Sequence, residues 1–117
     1  MGQLTTHVLD TAHGNPAAGM KVSLLHLIGE RAELIKQLEL NHDGRADTAL
    51  LEGAALRRGR YRLLFGVAAY FRQRGIPLPD PPFIDEVTLD FGIADPQLHY
   101  HVPLLVSPWS YSTYRGS

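Results

Sequence analysis

The sequence predicts an all-β protein, an antiparallel sandwich of seven or eight strands in two sheets with one short helix. Three observations carry this expectation. Turn signals recur at short spacing: Gly14-Asn15-Pro16, Gly29-Glu30, Asp43-Gly44, Arg58-Gly59, Gly75-Ile76-Pro77 and Pro79-Asp80-Pro81-Pro82. The segments between them are short, and many alternate apolar with polar residues, as strands with one buried face do. Only one stretch invites a helix.

The elements follow in order. Near the start, Thr6 and Val8 alternate with Thr5, His7 and Leu9, so one set faces the core and the other faces out. Met20 to Leu27 and Ala32 to Leu40 form a hairpin closed at Gly29-Glu30, and Asn41-His42-Asp43-Gly44 closes the next turn. Tyr61, Leu63 and Phe65 alternate with Arg60, Arg62 and Leu64; Val87, Leu89 and Phe91 alternate with Glu86, Thr88 and Asp90. Val67 to Arg74 is the helix, stopped by Gly75 and Pro77. From Leu98 to Val106, period two puts Leu98, Tyr100, Val102, Leu104 and Val106 in the core. Pro108 and Trp109 shape the turn into a last strand.

Composition narrows the function classes. A length of 117 residues suits one domain, spanning residues 1–117. With 44% hydrophobic residues the chain can bury a core, so disorder is not expected. Eleven basic and 12 acidic side chains leave a net charge of −1. That balance gives no electrostatic case for nucleic acid or a membrane surface as partner. With no cysteine, disulfides, thiolate nucleophiles and thiolate metal sites are all excluded. Met1 to Thr6 carries no basic segment or apolar run of signal length, and no window approaches a membrane span. A soluble, cytoplasmic protein is the expectation.

The outer face of the last long strand is unusual. It pairs His99 and His101 with apolar Pro103 and Leu105. His7 falls on the outer face of the first strand with Thr5 and Leu9. An outer face that is half apolar, with Leu9, Pro103 and Leu105 exposed, suggests a subunit interface, and its histidines could line a cleft between protomers. His13, His26 and His42 sit in or near turns or among strand residues without evident partners, where exposure or ordinary packing is expected.

Four blocks carry a resemblance: the opening LTTHVLDT with Gly14, Pro16 and Ala17; Asp43-Gly44-Arg45; the HYHVPLLVSP run; and the terminal YRGS. Together, and in this order, they resemble the 5-hydroxyisourate hydrolases, the transthyretin-like enzymes of urate breakdown. Asp-Gly-Arg alone has no weight, whereas HYHVPLL followed by a terminal YRGS is specific. The resemblance implies a transthyretin-like β-sandwich assembled as a homotetramer, a dimer of dimers with sites at the subunit interface. It implies catalysis by His7, Arg45 and His101, with Tyr114, Arg115, Gly116 and Ser117 closing on the substrate. His99 is expected to be a channel or structural residue.

The implied chemistry suits these side chains. Opening a lactam needs an activated water, a stabilised oxyanion and a proton for the leaving nitrogen. Histidine titrates near operating pH and can serve both proton steps. Arginine supplies a permanent charge and a planar donor fork for carbonyl oxygens. No metal or organic cofactor is required. Two other readings compete. His99-x-His101 with His7 could hold a catalytic metal, although same-face strand neighbours lie about 7 Å apart. A transthyretin-type carrier of small aromatic ligands is the second, and the two histidines and the terminal YRGS argue against it.

Overall fold

The structure, a computed structural model, describes residues 1–117. Its strands are β1 (Gln3–Asp10), β2 (Asn15–Pro16), β3 (Lys21–Ile28), β4 (Arg31–Glu39), β5 (Leu51–Glu52), β6 (Gly59–Phe65), β7 (Val87–Ile93), β8 (His99–Val106) and β9 (Tyr111–Thr113). One helix, α1 (Val67–Gln73), follows β6, and a 3-10 turn spans Gly53–Ala55. Seven of the strands exceed two residues, so the expected all-β sandwich with a single short helix is what forms. One sheet runs β2-β1-β8-β9, with β5 also on β1; the other runs β4-β3-β6-β7. Every pairing is antiparallel except that of β1 with β8, which is parallel. No helix is long and apolar enough to cross a membrane.

The alternations resolve as strand geometry requires. Leu4, Thr6, Val8 and Asp10 of β1 are buried while Gln3, Thr5, His7 and Leu9 are half-buried on the other face. Tyr61, Leu63 and Phe65 of β6 point inward with Val22 and Leu24 of β3, against Tyr100, Val102, Leu104 and Val106 of β8. Truncating Phe65, fully buried here, would cost about 3–5 kcal/mol in lost transfer energy plus cavity. Two expectations for β8 are corrected. Leu98 precedes the strand and is 46% exposed, so it leaves the core stripe. Pro103, expected on an exposed outer face, is buried within the chain, and Leu9 and Leu105 are half-buried rather than open.

The two polar groups within this core are satisfied. Thr6 donates its hydroxyl to the Val102 carbonyl at 2.7 Å. Asp10 accepts from the His13 backbone N–H at 2.9 Å, from the His13 ring, and from the Tyr70 hydroxyl at 2.8 Å. His13 therefore has a partner that the sequence reading did not give it. Burial alone would raise the Asp10 pKa, but the donors from His13 and Tyr70 together hold it below the ordinary carboxylate value. Tyr70, pushed up to about 12 by burial and by Asp10, stays a donor. This network ties the end of β1 to α1. The helix is too short to persist alone; burial of Val67, Ala68, Tyr70 and Phe71 holds it in place.

Candidate active site

The parallel register of β1 and β8 fixes the geometry of the site. Thr5 lies directly opposite His101, and His7 lies opposite Pro103. Both histidines therefore stand on the outer face of one sheet, on neighbouring strands about 4.8 Å apart. Each is half-buried. Thr5 Oγ1 and His101 Nδ1 are 2.8 Å apart, while the other ring nitrogen of His101 has no hydrogen-bond partner in the chain.

Arg45 reaches the site from the opposite edge of β1. Asn41 organises the turn before it, its Oδ1 accepting from the backbone of Asp43 at 2.9 Å and of Arg45 at 3.1 Å. Gly44 then has φ +73°, and its carbonyl accepts from the Val8 N–H at 2.9 Å. A Cβ at Gly44 would stand 2.5 Å from the Val8 carbonyl oxygen, so glycine is needed both for the left-handed backbone and for the close approach. The outcome is a single antiparallel bridge between His7 and Arg45. The Arg45 guanidinium makes no ion pair or hydrogen bond within the chain, which leaves its donor fork open.

The C-terminal tail enters from the far side of β8. Beyond β9 the ladder lapses at Tyr114 and Arg115 and resumes at Gly116, which exchanges two backbone hydrogen bonds with His101 (2.7 and 3.2 Å). Pro103 explains the gap, since it has no N–H for the edge that the tail occupies. Its carbonyl instead accepts from the Thr113 hydroxyl at 2.7 Å. Gly116 passes so close that an added Cβ would stand 3.0 Å from the Cβ of His101. Arg115 hydrogen-bonds the His99 carbonyl at 3.1 Å and lies over the Tyr100 ring, 4.6 Å from its centroid.

A cavity of about 440 Å³ opens here, lined by Gln3, Thr5, Arg45, His99, Tyr100, His101 and Ser117, within the range of small-molecule sites. His7 stands beside Arg45, just beyond that lining. Of the expected substrate-binding tail, Ser117 lines the cavity and Gly116 backs His101. Tyr114 and Arg115 are turned to a different cavity of about 460 Å³, shared with Leu89, Phe91 and Val102. Sequence reasoning gave Thr5 no role. Its place on the His7 face was legible, but its partner required the β1–β8 register.

Electrostatics favour neutral imidazoles. Burial, then the Arg45 charge, lower the His7 pKa from its ordinary 6.5, outweighing the opposing pull of the Asp43 backbone and carboxylate. His101 is lowered by burial, by Arg45 and by His7. Both rings are thus poised as bases at pH 7 rather than as cations. No three His, Asp or Glu side chains converge as a metal-binding group.

Known proteins share this sequence pattern and this fold. The sequence model of the HIUase/Transthyretin family matches residues 4–116. A protein of Ralstonia nicotianae named 5-hydroxyisourate hydrolase is 57% identical over 117 residues, covering all of both chains. The crystal structure of an (S)-allantoin synthase superposes with a TM-score of 0.94 at 46% identity, over 99% of this chain and 44% of that one. The structure of Klebsiella pneumoniae 5-hydroxyisourate hydrolase gives a TM-score of 0.81 at 37% identity over the whole of both chains. With the family pattern running through nearly the whole chain and the fold shared with its solved members, this protein belongs to the HIUase/Transthyretin family.

Proposed function

We propose that this protein is a 5-hydroxyisourate hydrolase, opening the lactam ring of 5-hydroxyisourate to 2-oxo-4-hydroxy-4-carboxy-5-ureidoimidazoline in urate breakdown. The observation that carries the reading is that an unpaired guanidinium and the His101 imidazole line one cavity, with the His7 imidazole beside that guanidinium and both rings lowered in pKa. The names of the full-length relatives support the substrate.

In this scheme one imidazole, of His7 or His101, removes a proton from water as the water oxygen bonds to the lactam carbonyl carbon. Arg45, exposed and with its donor fork unpaired, donates to the oxyanion that develops beside the half-buried imidazoles. The carbon–nitrogen bond then breaks and the nitrogen takes its proton from the imidazolium; the former carbonyl carbon, still part of the same molecule, becomes a carboxylic acid that releases its remaining proton to solvent as a carboxylate. Ser117 contacts the substrate, and the segment from Tyr114 through Arg115 to Gly116 tethers Ser117 to β8, Gly116 through the His101 backbone and Arg115 through the His99 carbonyl and the Tyr100 ring. No metal or organic cofactor takes part.

The same reading has residues 1–117 acting as one domain and assembling as a homotetramer, a dimer of dimers with sites at the subunit interface. Supporting it, β7 and β9 leave their outer edges unpaired, and Phe83, Trp109, Tyr111 and Tyr114 are exposed. A cytoplasmic setting fits a chain that needs no disulfide, and cell fractionation tests it.

The activity is tested by following 5-hydroxyisourate, generated in place from urate by urate oxidase, with and without the protein and with and without a chelator. Wild type should accelerate decay in both conditions. His7→Ala and His101→Ala should each lose on the order of 10²- to 10⁴-fold in kcat/KM. Chelator sensitivity would overturn the metal-free scheme. No acceleration over the spontaneous reaction would overturn the enzyme reading in favour of a ligand carrier.

A further inference from the structure

Thr5 is the one side chain hydrogen-bonded to a proposed catalytic ring. Its hydroxyl has a single partner, His101 Nδ1 at 2.8 Å, and the parallel register places the two residues directly opposite each other. The far side of the ring is fixed by Gly116, whose backbone grips that of His101 and leaves too little room for a methyl group. The imidazole is thus held between a hydroxyl on one nitrogen and a backbone wall, with its second nitrogen unpartnered. In a neutral imidazole, the hydrogen bond made by one nitrogen decides whether the other is donor or acceptor.

We propose that Thr5 is a positioning residue for His101: its hydroxyl accepts the Nδ1–H and so presents Nε2 as the lone pair that receives the proton of the attacking water. This rests on the hydrolase reading above and deepens it by assigning the base to His101, leaving His7 beside Arg45 for the second proton step. The direction follows from which nitrogen is available. Thr5 occupies Nδ1, so a neutral His101 can take a proton from cavity water only at Nε2, and only when the ring hydrogen sits on Nδ1 with Thr5 accepting it. Thr5 lines the same cavity, so its own O–H has water there to donate to. Thr5 transfers no proton in this assignment; its hydroxyl holds the ring.

The test compares wild type with Thr5→Val, which keeps the β-branched shape and removes the hydroxyl, and Thr5→Ser, which keeps the hydroxyl. Ring ¹⁵N shifts of His101 report the tautomer without any need for turnover. Wild type and Thr5→Ser should hold the proton on Nδ1, and Thr5→Val should move it toward Nε2. In the 5-hydroxyisourate assay Thr5→Val should lose about 10- to 100-fold in kcat, on the scale of removing the partner that orients a metal-bound histidine. KM should stay within about twofold if, as assigned, Thr5 acts by holding the ring. Thr5→Ser should recover most of the rate. Unchanged ¹⁵N shifts in Thr5→Val, or a Thr5→Ser as slow as Thr5→Val, overturns the proposal. A wild type with no activity but with the Nδ1 tautomer lost in Thr5→Val would sink the hydrolase reading while leaving the Thr5–His101 coupling standing.

Discussion

Arg45 acts on both imidazoles at once, and that makes it the residue whose removal is easiest to distinguish from a folding defect. Its side chain has no partner within the chain, so Arg45→Gln should leave stability nearly unchanged. It should lower kcat/KM at neutral pH by about 10²- to 10³-fold, the cost of deleting one oxyanion donor. The pH profile separates this role from mere loss of substrate binding. A base must be unprotonated to act, so kcat/KM in wild type should fall on the acid side with a midpoint below 6.5, since both histidines are lowered from that value. Burial is the larger cause and Arg45 the second. In Arg45→Gln the acid limb should therefore move toward 6.5, and the residual lowering should persist through burial. A limb that stays put would mean that the guanidinium does not reach the rings. The same lowering bears on stability, with its sign set by linkage. Between 6.5 and the lower folded values the unfolded chain takes up protons that the folded chain refuses. Acidification through that window thus costs stability, and thermal unfolding at decreasing pH should register it.

At the scale of elements, the meeting of β8 with the tail gives a second prediction. Gly116→Ala adds a methyl group 3.0 Å from the His101 Cβ and 3.1 Å from its Cδ2. Either the ring or the tail must give by a few tenths of an ångström. Because the tail lies outside the core, the melting temperature should change little, while kcat/KM falls; displacements of this order at a catalytic group are costly. A Gly116→Ala protein with wild-type activity would show that the tail need not grip His101. This region also marks how far the sequence could be read. The alternation of β1 and β8 was legible because period two needs only neighbouring residues, and it put His7 and His101 outward correctly. The parallel pairing that sets Thr5 against His101 joins residues 96 positions apart, and no local pattern encodes it. Pro103 was read as an exposed apolar residue of the outer face. Its actual consequence, a gap in the ladder that frees Tyr114 and Arg115 to face a different cavity, appears only when the strand beside it is known. Arg45 was legible only through its resemblance block, because an Asp-Gly-Arg turn says nothing about which strand it will lie against.

For the whole molecule, the open side of the sandwich decides what it does in solution. β7 ends one sheet and β9 the other, and the cavity of about 460 Å³ between them is lined by Leu89, Phe91, Tyr100, Val102 and the tail. Two free edges flanking an apolar recess form a surface that a monomer rarely leaves uncovered. Close by in sequence, Phe83 and Trp109 stack with centroids 6.1 Å apart while remaining 73% and 59% exposed. Aromatic residues of this kind anchor interfaces because they bury large area at low entropic cost. If the homotetramer forms, sedimentation at micromolar concentration should give four times the chain mass of 13.0 kDa. Trp109→Glu should lower that mass without lowering the stability of the monomer, since the indole contributes little to the core. A wild type that sediments as a monomer at tens of micromolar would remove the assembly. Activity measured on the same dilution series then tests whether the sites depend on it. His101 is gripped by the tail, and the tail borders the open flank, so loss of the neighbouring subunit should loosen Gly116 and Ser117, and the rate per chain should fall with the oligomer. A rate per chain that holds constant through dissociation would place the complete catalytic site within one protomer.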